Sequence, residues 1–277
     1  MTRKNEITWI VPPVAWALPD IQELWQYRSL ILQLAIKDFR VRYLQTWLGG
    51  LWSVINPLIS ALLLNFVFNK VARTNTTLAL NSYVFVMSGM VAWTFFSTLV
   101  PEAMQGMMNA QAMIKKIYFP KLVIPLSKMI GALVETGVSL LLFLIVCGWY
   151  QQWPQWSAWL LLPLYLLAMM ILGVGLSLWA TVLTLVSKDF MHVIPHIIRL
   201  GMLICPIAYP AALVPEKFQW LYFLNPVSGF MEGFRSLLFA GYTLHPLAWI
   251  SGLTALLLVV SGFIAFRKFE FTIADIL

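Results

Sequence analysis

The sequence predicts an all-α integral membrane protein that crosses the bilayer several times and forms a single domain over residues 1–277. Of its 277 residues, 61% are hydrophobic and only 10% are charged, and the mean hydropathy is +0.82. Soluble domains usually carry about 25% charged residues. Several stretches also exceed the roughly 18 uncharged residues that mark a bilayer span. The composition therefore excludes a soluble globular domain.

Six segments are apolar and long enough to be membrane spans. They cover residues 47–68, 82–100, 129–149, 158–186, 190–208 and 247–266. The fourth is longer than one bilayer requires, so we expect it to tilt or to project into water. The fifth departs most from an ideal span, because it contains Pro195, Arg199 and two histidines.

Lysine and arginine are distributed unequally between the two sides that these spans define. Thirteen lie before span one and after spans two, four and six, whereas four lie in the opposite loops. Basic residues gather on the cytoplasmic side of membrane proteins. The bias therefore places both termini, including residues 1–46, in the cytoplasm. It also accounts for the net charge of +7 without nucleic acid as a partner.

Residues 21–45 predict an amphipathic helix at the membrane surface, because polar and apolar positions alternate at helical spacings of three and four. The polar positions are Gln22, Gln26, Ser29, Gln33, Lys37 and Arg40. The apolar stripe consists of Ile21, Trp25, Leu32, Ile36, Phe39 and Tyr43. Such a helix lies in the headgroup layer of membrane lipid, with its basic residues towards anionic lipid. From these residues alone, a plain membrane anchor is the simplest function.

Residues 101–128 predict a cytoplasmic loop with a short exposed helix. The segment contains helix formers, a Met-rich apolar face, a basic pair at Lys115 and Lys116, and Pro120 as a stop. Its apolar side would consist of Met107, Met108, Met113 and Ile117. Such a face suits docking into a groove on a partner protein, and the alternative is a basic loop that only fixes topology.

Residues 209–241 are apolar enough to suggest a seventh crossing. However, Asn225 and Pro226 split the segment, and Glu232 and Arg235 interrupt its second half. We therefore predict two short re-entrant helices on the outer side. Bent backbone at membrane depth is tolerated only where protein or a water-filled cavity covers it, so these helices should border a pathway.

Aromatic residues cluster in or near this outer segment. They are Tyr209, Trp220, Tyr222, Phe223, Phe230 and Phe234. Aromatic faces stack on sugars as well as on each other, so the cluster is compatible with a saccharide path. An interfacial aromatic belt is the ordinary explanation.

Two ionisable residues, Glu135 and Arg199, fall inside predicted spans. Burying either without a partner costs roughly 2.5 kcal/mol or more, so we expect them to pair with each other or to face an aqueous pathway. His192 and His196 have the i,i+4 spacing of some metal sites. Only Asp189 accompanies them, so the sequence predicts no metal site.

Sequence motifs for catalysis are absent. The chain contains no G-x-x-x-x-G-K-[ST], so it has no P-loop for ATP. It also lacks H-E-x-x-H, G-x-S-x-G and any carboxylate cluster. We expect neither enzymatic activity nor a cofactor in this chain. If ATP drives transport, the ATPase and its Mg²⁺ belong to a separate chain.

The run KDFRVRYLQTWLGGLWSVINPL at 37–58 resembles the start of type-2 ABC exporter permeases for cell-surface polysaccharides such as O-antigen and teichoic acid. The family pattern is a Lys/Arg-Asp-x-Arg-x-Arg-Tyr segment, a Leu-Gly turn, a Trp and an Asn/Gln-Pro. The matching residues are Lys37, Asp38, Arg40, Arg42, Tyr43, Leu48, Gly49, Trp52, Asn56 and Pro57. NPVSGFMEGFRSLLF at 225–239 and FRKFEFTIADIL at 266–277 continue the resemblance.

The resemblance implies a transporter of two permeases and two ABC ATPase subunits, which would bind ATP and Mg²⁺. It would export a lipid-linked polysaccharide, with O-antigen expected, across the bacterial inner membrane for lipopolysaccharide biosynthesis. The channel would form at the homodimer interface. The implied cytoplasmic gate is Leu48, Gly49 and Gly50. The implied ATPase contacts are Lys37, Arg40, Arg42, Met113, Lys115, Lys116, Ile117 and Tyr118. The implied translocation pathway includes Trp52, Asn56, Arg199, Tyr209, Phe230 and Phe234.

Other functions remain open at this point. A type-2 ABC permease for teichoic acid, capsule, lipid or a drug would share most of these features. A flippase without an ATPase usually carries internal repeats and midplane charges, and no repeat relates the two halves here. A membrane-bound transferase would require clustered carboxylates or histidines, and only Asp189, His192 and His196 come close.

Overall fold

The computed structural model describes residues 21–43, 47–71 and 80–276, and within these ranges the chain is helical without any β-strand. The α-helices are α1 (Ile21–Gln26), α2 (Arg28–Tyr43), α3 (Trp52–Asn65), α4 (Ser82–Asn109), α5 (Gln111–Ile114), α6 (Val123–Trp149), α7 (Trp156–Val186), α8 (Phe190–Ile204), α9 (Glu216–Phe223), α10 (Pro226–Leu238) and α11 (Ala248–Ile276). A 3₁₀ turn (Gly49–Leu51) leads into α3, a π-helical turn (Phe66–Val71) follows it, and a further 3₁₀ turn (Ala211–Leu213) precedes α9.

Five helical segments among the described residues are long and apolar enough to cross a membrane. They are Gly49–Phe68, Ser82–Asn109, Val123–Trp149, Trp156–Val186 and Ala248–Phe269. The predicted span 190–208 is instead the 15-residue apolar helix α8, followed by irregular backbone. At 1.5 Å per residue α8 is about 22 Å long, short of the roughly 30 Å of a bilayer core.

Helix α4 lies at the centre of the molecule, where it packs along α6 and α7. Of its most apolar stretch, 78% is buried inside the chain, against 22–33% for the other four spanning segments.

Helix α7 also packs against α11, and the two helices approach closely because both carry glycine. A methyl group on Gly175 would lie 2.8 Å from the Cα of Val259, and one on Gly262 would lie 2.8 Å from the Gly175 carbonyl. Small residues of this kind bring membrane helices together.

Helix α4 extends to Asn109, nine residues beyond the predicted end of span two, with Pro101 inside it. The predicted exposure of Met107 and Met108 is wrong. Their side chains are 0% and 9% exposed and pack with Phe119 and Leu122 in the chain's own core. The loop after α4 folds back over the end of the helix, so this part of the methionine face is unavailable to a partner.

The predicted surface helix is divided into α1 and α2, with a turn at Tyr27. Residue 45, its predicted end, lies outside the described residues. Four members of the predicted apolar stripe are exposed, as expected for a lipid-facing surface: Trp25, Leu32, Ile36 and Phe39. The sequence analysis missed a second apolar face, which packs on the core and consists of Leu24, Tyr27, Leu30, Ile31 and Leu34.

Candidate functional site

A polar cavity of about 440 Å³ lies between the first span, α4, α6 and α8. Its polar lining consists of Arg42, Ser53, Asn56, Ser60, Thr94, Ser97, Thr98 and Glu135. Trp52, Pro57, Met90, Trp93 and Met202 complete the wall. About 10–15 Å³ of such volume suffices for one water, so a site of this size and polarity can be hydrated. The predicted pathway residues Trp52 and Asn56 both belong to it.

Two short polar stripes form the facing walls of this cavity. Ser53, Asn56 and Ser60 follow helical spacings of three and four on the first span. Thr94, Ser97 and Thr98 follow the same spacings on α4 and form the second stripe. The stripe on the first span could have been found from its spacing, but its partner on α4 could not, because only the fold shows which helices face each other.

Each of these two helices also contains a proline: Pro57 in α3, which lines the cavity, and Pro101 in α4, which lies one turn beyond the lining residue Ser97. Proline has no N–H, so it cannot donate to the carbonyl four residues earlier. Those carbonyls belong to Ser53 and Ser97, and both serines line the cavity. Each helix therefore has a main-chain carbonyl without its usual helical donor at a residue that lines the cavity.

Arg42 binds two carboxylates at one end of the polar cavity. Its guanidinium donates to Glu102 on α4 and to Glu135 on α6. The Thr98 hydroxyl donates to the other oxygen of Glu135 at 2.8 Å. The expected pair between Glu135 and Arg199 does not form, because the end of α2 brings Arg42 to Glu135 first.

A second ion pair joins α2 to α6. Lys128 on α6 donates to Asp38 on α2 at 2.5 Å. Together with Arg42, this pair fixes α2 against α4 and α6. Arg42, one of the residues predicted to contact an ATPase, binds Glu102 and Glu135 within the chain, and its side chain remains 35% exposed.

The turn predicted at Leu48, Gly49 and Gly50 is present, and it leads into the first span. Gly49 has φ 48°, in the left-handed region that side chains with a Cβ rarely adopt. Gly50 has no positive φ, and a methyl group on it would meet no atom of the described residues within 4 Å. The Leu51 amide donates to the Leu48 carbonyl at 2.9 Å and closes the turn. Only the first glycine is therefore required by the backbone.

A buried arginine near the opposite end of α4 was not foreseen as a structural centre. The Arg235 side chain is 0% exposed, and its guanidinium donates to Ser88 Oγ at 3.1 Å and to the Phe85 carbonyl at 3.2 Å. It also donates to the Ile207 carbonyl at 2.8 Å, in the irregular segment after α8. Its guanidinium carbon lies 3.6 Å from the centre of the Phe85 ring. Arg235 thus fastens α10 and the irregular segment to α4.

Glu232 is the acidic partner of this arginine and is 2% exposed. The two charged groups are 3.6 Å apart, and Glu232 also accepts from the Tyr242 hydroxyl at 2.6 Å and from the Ala211 amide at 3.3 Å. Burial raises the pKa of the Tyr242 phenol, so this hydroxyl remains a donor. The charges that interrupt the apolar pattern of α10 therefore satisfy each other and the bent backbone.

The outer aromatic residues do not form one surface. Tyr209 packs against Phe68 and Tyr222, with ring centres 5.5 and 6.4 Å apart. Phe230 is half-buried, but Phe234 is 1% exposed and packs on Tyr165 with ring centres 5.1 Å apart. Phe234 therefore lies in the core, which does not fit its predicted place on a pathway surface. The two short helices α9 and α10, of 8 and 13 residues, occupy the predicted outer segment.

Helix α8 exposes a polar face that does not line the polar cavity. His192, His196 and Arg199 lie at i, i+4 and i+7 and are all exposed. Among the described residues no group of three metal ligands exists, and His196 Nδ1 lies 2.7 Å from the His192 carbonyl. Arg199 makes no ion pair within the part of the chain that the structure describes.

The residues predicted to contact an ATPase are divided among exposed and internal positions. Lys115 and Lys116 follow α5 and are exposed, as are Ile117 and Tyr118 at 61% and 66%. Met113 packs partly against the chain's own core. Lys37 and Arg40 on α2 are exposed.

Comparison with known proteins places these features in a family. The model of the ABC-2 type transporter family matches residues 29–239. The O-antigen export system permease protein RfbA of Klebsiella pneumoniae is 29% identical over 249 residues, covering 90% of this chain and 95% of that protein. The protein of the same name from Myxococcus xanthus is 26% identical, covering 79% and 84%. The polysialic acid transport protein KpsM of Escherichia coli is 28% identical, covering 76% and 81%.

The matched region runs from α2 to the end of α10, so it contains the polar cavity, the Gly49 turn and the buried arginine. It covers well over half of the chain and includes four of the five long apolar segments. This chain is a multi-pass membrane protein of the ABC-2 type transporter family.

Proposed function

We propose that the chain is the membrane subunit of an ATP-driven exporter of a lipid-linked polysaccharide, with O-antigen as the substrate. Two copies would form a channel between them in the bacterial inner membrane, with both termini in the cytoplasm. ATP would be hydrolysed by two copies of a separate ABC ATPase subunit, so this chain would not itself be an enzyme. The names of its relatives and the charge bias of its loops support this proposal.

The polar cavity is the observation that carries the proposal. Hydroxyls, an amide and a paired arginine line an open volume of about 440 Å³ between helices that are long and apolar enough to span a membrane, so the cavity can hold water or a polar substrate. Trp52 and Asn56 would contribute to a translocation pathway on the first span. The Gly49 turn lies at the start of the same span, where it would act as the cytoplasmic gate.

The exposed face of α8 supports a second copy as partner. Arg199 is a cation with no ion-pair partner among the described residues, on a helix whose other exposed residues are mainly apolar. Facing lipid would be costly for this charge, whereas facing a hydrated channel between two copies would not. His192 and His196 would lie on the same channel wall.

Cysteine labelling tests whether the polar cavity is hydrated. Ser53→Cys should react with a membrane-impermeant thiol reagent, and Ile59→Cys, on the exposed outer face of the same helix, should not. Both native cysteines are buried, so background labelling should be low. Equal labelling of the two variants would contradict a hydrated pathway along this face.

Reconstitution tests the function itself. The chain should co-purify with an ATP-hydrolysing subunit, and the complex in proteoliposomes should move lipid-linked glycan only when ATP is present. Ser60→Leu, which fills the cavity, should lower the amount of glycan moved per ATP, whereas Ile59→Leu should not. Movement without nucleotide, or failure to recover any ATPase, would overturn the proposal.

A capsular polysaccharide is the second candidate substrate, because KpsM is described as a polysialic acid transport protein and matches 76% of this chain. Assaying both glycans with the same proteoliposomes distinguishes the two. The one that moves with ATP is the substrate.

A further inference from the structure

A second cavity, which we call the interfacial groove, has a volume of about 620 Å³ and lies between α2, the Gly49 turn and α6. Its sides are apolar, with Leu32, Ile36 and Phe39 on α2 and with Ile130 and Val134 on α6. Within the described residues Arg40 is its one charged lining residue. The groove lies on the opposite side of α2 from the residues that pack on the core.

The floor of the interfacial groove is made by residues with little or no side chain. Ala35, Gly50 and Gly131 lie there, and a methyl group on either glycine would meet no described atom within 4 Å. A lipid chain on a convex helix surface is held from one side only. Between α2 and α6, a chain would be enclosed by protein on several sides and would gain correspondingly more contact.

Two cations lie at the rim of the groove. Arg40 lines it, and Lys37 lies one turn earlier on α2, and both are exposed. Neither forms an ion pair with any residue that the structure describes, whereas Arg42 and Lys128 close by are both paired. Free positive charge beside an apolar groove is complementary to a phosphate with an attached hydrocarbon chain.

We propose that the interfacial groove binds an anionic phospholipid, with its phosphate at Lys37 and Arg40 and one acyl chain between α2 and α6. The occupant is a membrane phospholipid rather than the glycan carrier, because the lining offers charge for a phosphate but no set of polar groups for sugar. The acyl chain lies against Gly49 and Gly50, so the bound lipid supports the turn at the start of the first span. The observations behind this site do not rest on the proposed export function.

Photo-crosslinking tests the position of the acyl chain. The full-length chain is placed in nanodiscs of phosphatidylethanolamine with a trace of phosphatidylglycerol that carries a diazirine on one acyl chain. Crosslinks should map to Ile130–Val134 and to α2. Gly131→Leu should remove them, whereas Gly137→Leu should not, because Gly137 lies on the same helix with equally open space but outside the groove.

Removing the two positive charges tests whether Lys37 and Arg40 bind the phosphate of the headgroup. The apolar walls of the interfacial groove are the same in these variants. Lys37→Gln or Arg40→Gln should each lower the preference for phosphatidylglycerol over phosphatidylethanolamine about fivefold, and the double variant about thirtyfold. Both positions are exposed, so folding should persist, which size-exclusion chromatography checks.

Three results would overturn the inference. They are equal labelling of the Gly131 and Gly137 variants, equal labelling by the two phospholipids, and displacement of the label by polyprenyl phosphate at low concentration. None depends on whether the chain exports glycan, so failure of the export assay would leave this test unaffected.

Discussion

Replacement of Arg235 by methionine tests whether a single buried cation holds the outer part of the molecule together. The substitution removes three hydrogen bonds of 2.8–3.2 Å and leaves Glu232, 2% exposed, without its cation. Breaking a buried ion pair from one side costs about 3–5 kcal/mol. The loss in free energy of unfolding should lie in this range, because methionine keeps the packing volume of arginine but none of its hydrogen-bond donors.

A second substitution separates the unpaired charge from the lost hydrogen bonds. Glu232→Gln in the Arg235→Met background removes the buried charge, while its amide oxygen still accepts from Tyr242. This double variant should recover about 2 kcal/mol of the loss, since its remaining defects are neutral: the Ile207 carbonyl loses its donor, and the Ala211 amide loses the second carboxylate oxygen that accepts from it.

The free energies lost in the single and double variants are measured by unfolding the purified protein in mixed micelles with increasing denaturing detergent. Tryptophan fluorescence follows the transition. Ser236→Ala serves as a control on the same helix, because this half-buried hydroxyl contacts only the neighbouring Gly233 carbonyl. An Arg235→Met variant within about 1 kcal/mol of the native protein would refute the reasoning, since that is the value of an exposed pair.

Three further predictions concern other parts of the chain. Gly49→Ala should destabilise the turn by about 1–2 kcal/mol while Gly50→Ala has no comparable effect, which thermal unfolding of both variants compares; equal effects would contradict the backbone argument. Arg42→Met should lower the free energy of unfolding by about 2 kcal/mol in the micelle assay. Neutralising its two carboxylate partners in the same chain should restore most of this free energy; no restoration would mean that the charges are not coupled. Gly175→Val should lower the thermal midpoint and Gly252→Val should not, because only the first meets a neighbouring backbone; equal midpoints would argue against close packing of α7 on α11.

The sequence predicted the membrane class and four of the long helices well, because long uncharged runs leave few alternatives. It also located the turn at Gly49, since two glycines between a basic segment and an apolar one mark a change of direction. It set the end of span two nine residues before the end of α4, because the predicted span covered only uncharged residues and Glu102 follows Pro101. A proline can lie inside a membrane helix when neighbouring groups satisfy the freed carbonyl.

The charge partners could not be predicted, since they depend on helix neighbours rather than on spacing. Glu135 lies 93 residues from Arg42, and Arg235 lies 147 residues from Ser88. No periodicity reports such separations. The internal pairs of Arg42 were not foreseen because the sequence did not show that α2 packs on α6.

Pro57 and Pro101 each lie one turn after a serine that lines the polar cavity, and this has a consequence for how the polarity of the cavity can change through mutation. The carbonyls of Ser53 and Ser97 belong to the main chain, so no replacement of those serines removes them. A Ser→Ala change there would delete a hydroxyl but leave an acceptor in place. The cavity would therefore still attract water after many different side-chain replacements. Replacement of Pro57 or Pro101 would instead restore the N–H that donates to the carbonyl four residues earlier, and that side of the cavity would then hold less water.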